Sequence, residues 1–237
     1  MNTDKKTLKF TFYTSLSVVI LTIITWYFAM LAMPPAGPYC PGDCMSYPFN
    51  DLLSYYPRDY NWMYLAIFQV FAYLVFMISN HFIAPDESKL FGLISVALAL
   101  IASITLLLAY FVQFAVVPLS MMKGETEGIA LLTQYNGHGI FIAMEELGYF
   151  TMSISFLFSA IIFSTKSRLE KSLRIILIAQ FVLTVLSFIF YTFKYGLDRS
   201  YRFEVAAITI NWLTIIIAGI LVAILTRKRL NGTIGEN

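Results

Sequence analysis

The chain has 237 residues, 59% of them hydrophobic and 13% charged, with a mean hydropathy of +0.73. Soluble domains carry charge on about a quarter of their residues, so this composition cannot cover a water-facing globule and points to lipid as the solvent. A net charge of +2, with no basic cluster on a soluble domain, excludes a nucleic-acid-binding class.

A helix needs about 20 apolar residues to cross the hydrocarbon. Six runs meet that length in chain order: 10–33, 61–83, 90–117, 139–164, 175–193 and 205–226. Backbone polar groups in lipid must be satisfied within the segment, which makes each run a helix. Short alternating segments, the mark of a β-barrel, are absent. The expected fold is an all-α bundle of six transmembrane helices forming a single membrane domain over 1–237. The first run follows a basic start, as a signal peptide would. It is longer than a typical h-region and lacks a small-x-small cleavage site, so it reads as a retained helix.

Orientation follows from the cations. Lys5, Lys6, Lys9, Lys89, Lys166, Arg168, Lys171, Arg174, Arg227, Lys228 and Arg229 fall on one side. Arg58, Lys123, Lys194, Arg199 and Arg202 fall on the other. The positive-inside rule puts the larger group, and both termini, in the cytoplasm, with the plasma membrane as the expected location.

The loop 34–60 then lies outside and reads as a structured loop, rich in Pro, Gly, Tyr and Asp. Cys40 and Cys44 flank Pro41-Gly42-Asp43 and are the only cysteines. An oxidising compartment favours a disulfide between them, and a Pro-Gly turn brings their ends together. The loop supplies no His, so no metal site is expected there. Tyr55, Tyr56, Tyr60 and Trp62 are expected at the outer interface, where amphipathic rings settle. Asp86 or Ser88 is expected to cap the third helix. The stretch 128–135 reads as a short interfacial or re-entrant segment, ended by an Asn136-Gly137 turn.

Small residues recur at helical spacing: Gly92, Ser95, Ala99 and Ser103 in the third span, Gly148, Thr151, Ser155 and Ser159 in the fourth, and Gly219 with Ala223 in the sixth. They let helices approach closely in lipid.

Ionisable groups inside a span mark functional sites by default. Glu145 and Glu146 interrupt the fourth run, and Glu145 lies about 9 Å below Gly139 at 1.5 Å per residue. The two carboxylates are about 100° apart around the helix, so at most one points at a given target. His138 stands seven residues before Glu145, nearly on the same face. Gln69, Gln113, Lys194 and Asn211 fall at similar depth, and Glu204 opens the sixth span. The expected pocket therefore comprises Gln69, Gln113, His138, Glu145, Glu146, Lys194 and Asn211, in the outer half of the bundle. The inner half reads as nearly pure hydrocarbon, Gln180 excepted. The bland alternative leaves Glu145 and Glu146 in headgroups, or pairs one with Lys194.

No nucleotide-binding, nucleophile-elbow or zinc-protease motif occurs, so no cofactor is expected. Three functions fit. The first is binding or transport of a small molecule or protons, since a carboxyl withdrawn from water protonates more readily. The second is an acid–base enzyme using His138 and Glu145 on a lipid or isoprenoid entering sideways. The third is a non-catalytic assembly, sensor or partner-binding subunit that presents the outer loop. The bilayer is the one partner the composition requires.

Overall fold

The computed structural model describes residues 4–32, 35–165 and 167–232; Lys166, named above, and Met33 and Pro34, where the first run meets the outer loop, lie outside them. The described residues form helices and loops and no strand. The helices are α1 Lys5–Leu31, α2 Asn61–Phe82, α3 Lys89–Ala115, α4 Val117–Met122, α5 Ile129–Leu132, α6 Ile140–Ala160, α7 Arg168–Tyr195 and α8 Arg202–Leu230. Six of them, all but the short α4 and α5, belong to segments long and apolar enough to cross a membrane. The start of α1 and the end of α8 lie at one end of the bundle, since Trp26 of α1 meets Trp212 of α8 and Val19 meets Gly219. The opposite, distal end carries the loops 35–60, 116–139 and 196–201.

Several helix ends differ from the hydropathy runs, each for a local reason. The seventh helix starts at Arg168, well before the apolar stretch, because Ser167 Oγ accepts a hydrogen bond from the Glu170 backbone N–H. That is the Ser-x-x-Glu arrangement of a helix start. By contrast α6 stops at Ala160, where the N–H groups of Ile161 and Ile162 turn to carbonyls three residues back. The third span breaks at Val116-Val117-Pro118, since the proline lacks a donor and crowds the residue before it; α4 follows as a separate short helix. The expected cap on α3 is not made. Ser88 occupies the position, but its hydroxyl donates back to the Pro85 carbonyl, and Asp86 pairs with Lys89 at 2.6 Å.

The small-residue stripes explain the packing. The stripes of α3 and α6 are buried and face each other, with Ser95 Oγ donating to the Ser155 carbonyl at 2.9 Å. A Cβ on Gly148 would stand 2.6 Å from Leu106 Cδ2. Likewise a Cβ on Gly219 would stand 2.5 Å from Val19 and 3.1 Å from the Ser15 carbonyl, so α8 lies against α1. The helices α1, α2, α3, α6 and α8 follow one another around the bundle, and α7 packs outside on α6 and α8. Gly148→Val overfills the α3–α6 contact and is expected to cost about 1–3 kcal/mol. Thermal unfolding in detergent checks this, and an unchanged midpoint would mean the two helices do not need their close approach.

The half nearer the termini is not bare hydrocarbon. Thr11, Ser15, Ser79 and Asn80 are buried there, and Thr14 Oγ1 bonds Ser79 Oγ at 3.0 Å between α1 and α2. Hydroxyls escape a hydropathy scan because they satisfy themselves on carbonyls within their own helices, as Ser15 does on Thr11 and Ser79 on Phe76. At the rim, Arg229 donates to Glu170 at 2.5 Å and Ser164 also donates to that carboxylate, tying α8 to the start of α7.

The distal loops build a cap with a small apolar core of its own, in which Phe49 and Leu52 meet Val117, Ile129 and Tyr135. The stretch expected as re-entrant is only the single turn α5 inside this cap. The sulfur atoms of Cys40 and Cys44 stand at disulfide distance, 2.11 Å. Of the four aromatic residues expected at the interface, Tyr56 is exposed and Tyr55 half-buried, but Tyr60 and Trp62 are 0% and 8% exposed. Trp62 turns inward because Tyr110 and Trp212 meet its ring edge-to-face, at 5.3 and 6.4 Å.

Candidate functional site

Below the cap lies a cavity of about 280 Å³ between the distal ends of α1, α2 and α8. The chain has three tryptophans, and all three line it: Trp26 from α1, Trp62 from α2 and Trp212 from α8. Trp212 meets Trp26 at 6.0 Å and Trp62 at 6.4 Å with ring planes inclined at 68° and 65°, so the indoles form a corner and not a stack. Tyr39, Gln134, Tyr135 and Tyr201 line the loop side. Met30 and Val205, both exposed, line it between α1 and α8, so the opening lies on the flank of the bundle.

Two carboxylates reach this space, Asp59 and Glu204. Asp59 is buried in the cap, where Arg58 Nε donates to one of its oxygens at 2.6 Å and the Tyr135 hydroxyl to the other at 3.3 Å. Glu204, in the first turn of α8, forms no ion pair with any described Lys or Arg. Its carboxyl interacts with that of Glu145, which in turn interacts with the Tyr110 hydroxyl. Glu145 is 1% exposed and its Oε1 has no hydrogen-bond partner.

Behind the carboxyl pair a buried polar chain runs into the bundle. The Tyr110 and Tyr149 hydroxyls share a hydrogen bond at 2.8 Å, and Trp212 Nε1 donates to Tyr149 at 3.1 Å. Asn211 donates to the Tyr149 carbonyl at 3.3 Å, and Gln180 Nε2 donates to Asn211 Oδ1 at 2.9 Å and to Thr184 Oγ1 at 3.4 Å.

The roof is held by Tyr201. Its backbone is left-handed, φ 57°, and its hydroxyl donates to the Gln134 carbonyl at 3.0 Å. A Cβ on Gly37 would meet the Tyr201 ring at 2.4 Å, and one on Gly137 at 2.7 Å, so only glycine fits at either face. Burial, and then the nearby Glu204, raises the Tyr201 hydroxyl above the usual tyrosine range. Burial raises Tyr135 likewise, so both remain neutral donors.

The seven residues expected to form one pocket do not converge. Glu145 points inward to Glu204, and Asn211 joins the polar chain behind it. Glu146 points away and pairs with Arg199 at 2.5 Å. Lys194 is exposed and lies over the Phe190 and Tyr195 rings at 5.4 and 5.3 Å. Gln113 holds the cap, donating to the Leu132 carbonyl at 2.5 Å and accepting from the Gln134 N–H at 2.8 Å. Gln69 is buried mid-bundle beside Thr22, and His138 is exposed at the start of α6. Sequence reasoning overlooked the tryptophan corner and Asp59. The usable signal was that all three tryptophans fall in the distal halves of spans one, two and six.

These features describe an all-helical bundle with six helices long and apolar enough to span a membrane and an aromatic and acidic cavity at one end. No protein-family model matches the chain, and no curated protein or solved structure is significantly similar to it.

Proposed function

We propose that this protein binds a small molecule in the distal cavity, which faces the exterior of the plasma membrane when both termini are cytoplasmic. The observation that carries the reading is the cavity itself, where every tryptophan of the chain and two buried carboxylates line one space of about 280 Å³. That volume lies just below the roughly 300–1,000 Å³ of drug-sized sites, which suits a small ligand. Aromatic walls with a few placed polar groups are the usual make-up of such sites.

Binding is favoured over passage through the bundle. The polar chain behind the cavity ends at Gln180 and Thr184, and α8 lies close against α1 at Gly219 and Val19. Binding is also favoured over acid–base catalysis by His138 and Glu145, because His138 is exposed on the cap while Glu145 is buried beneath the cavity.

Intrinsic fluorescence reports this site selectively, since no tryptophan lies elsewhere. Titration of the detergent-solubilised protein with small amines, alcohols, carboxylates and lipid-headgroup fragments is expected to yield at least one saturable emission shift. Flat responses across all four sets would show the corner to be packing, and the binding reading would fall.

A further inference from the structure

We infer that the cavity takes an organic ammonium cation carrying an apolar body. This deepens the binding reading above and rests on it.

The first argument is charge. The described residues lining the cavity include Asp59 and Glu204 and no Lys or Arg. Asp59 has a cation in Arg58, but Glu204 pairs with no described Lys or Arg, and its carboxyl interacts with that of buried Glu145. Two adjacent buried carboxyls call for positive charge, either a proton held between them or a cation in front of them. An anionic ligand finds no charged donor in these walls.

The second argument is the shape of the aromatic walls. Inclined tryptophans meeting in a corner offer negative ring faces, which ammonium groups seek, and tryptophan is the strongest such partner. Edge-to-face packing alone would explain the contacts among the rings, but it does not require a carboxylate-lined cavity beside them.

The third argument is the opening. Its flank carries Met30 and Val205, exposed and apolar, at the distal ends of two membrane-spanning helices. An amphiphile arriving from the bilayer interface would enter with its cation toward Glu204 and leave its apolar part along Met30. The cation can belong to a free amine or to a choline-type lipid headgroup, which present the same chemistry.

The test compares phenethylamine, phenethyl alcohol and phenylacetate, which are similar in size and differ in charge. Tryptophan emission is followed in maltoside micelles, which contain no cation. The expected result is half-saturation by the amine at a concentration about tenfold or more below that for the alcohol, with no saturable response to phenylacetate. Glu204→Gln should raise the amine's half-saturation about tenfold and leave the alcohol's unchanged. Trp26→Leu, at the half-buried edge of the corner, should weaken the amine several-fold, and it serves if the Glu204 variant does not fold. Repeating the amine titration in phosphatidylcholine nanodiscs separates the sources. A response lost there assigns the cation to the headgroup, and a response retained assigns it to free amine; both support an ammonium site.

Equal binding of amine and alcohol, or an amine response untouched by both substitutions, overturns the cation assignment and leaves the binding reading standing. Tighter binding of phenylacetate overturns it as well. Silence from all three probes together with the wider panel removes the binding reading itself.

Discussion

Trp212→Ala is expected to destabilise the bundle by about 3–5 kcal/mol, as large-to-small changes at buried aromatic sites do. Trp212 is 1% exposed and is the ring against which both other indoles pack. Removing it merges the lost indole volume with a cavity that already exists, so little collapse is available to recover contacts. It also strips the Tyr149 hydroxyl of the donor at 3.1 Å. Trp212→Phe separates the two effects. It retains a ring against Trp26 and Trp62 but loses the hydrogen bond, and should cost far less than alanine, with about 1 kcal/mol from the bond itself. Thermal unfolding of both variants in the same detergent is the measurement. If alanine and phenylalanine cost the same, the hydrogen bond and not the corner would be holding this end of the molecule.

Arg199→Ala is the second large expected effect. Its guanidinium donates to Glu146 Oε2 at 2.5 Å and to Thr192 Oγ1 at 3.2 Å, and lies over the Phe188 and Phe203 rings at 4.8 and 5.8 Å. Losing it leaves Glu146, whose side chain is 12% exposed, without its cation. Breaking a fully buried pair costs about 3–5 kcal/mol. The Arg199 side chain is 28% exposed, so solvent screening reduces that to about 2–3 kcal/mol. The sign of the coupling is the sharper prediction. Glu146→Gln placed on Arg199→Ala should restore part of the loss, because it removes the stranded charge. Stability that falls additively in the double variant would mean the pair is not coupled. Arg199 lies two residues before Tyr201, so the single variant should also weaken any fluorescence response at the cavity.

Much of the scaffold was legible without coordinates. Six spans, all-helical structure and small-residue contact faces follow from run length and residue type, which are local properties of the chain. The α3 and α6 stripes meet as their spacing implied, because in lipid a face of Gly, Ser and Ala has little else to offer a neighbour. Boundaries moved wherever a side chain acted on the backbone, as Ser167 does at the start of α7 and Pro118 at the end of α3.

Periodicity placed Glu145 and Glu146 about 100° apart, but the angle between them carries no direction. Only the packed helices decided that Glu145 turns to Glu204 and Glu146 to Arg199. The interface rule for aromatic residues sent Tyr60 and Trp62 outward, because an amphipathic ring at a helix end suits a headgroup and a capped cavity equally. What turned Trp62 inward was the arrival of Tyr110 and Trp212, 48 and 150 residues further along the chain. The sequence by itself determined how many helices are long and apolar enough to cross a membrane and which faces are able to pack. The tertiary structure decided the site, because burial, counter-charge and enclosure depend on partners brought in from other helices, and no local pattern carries that information.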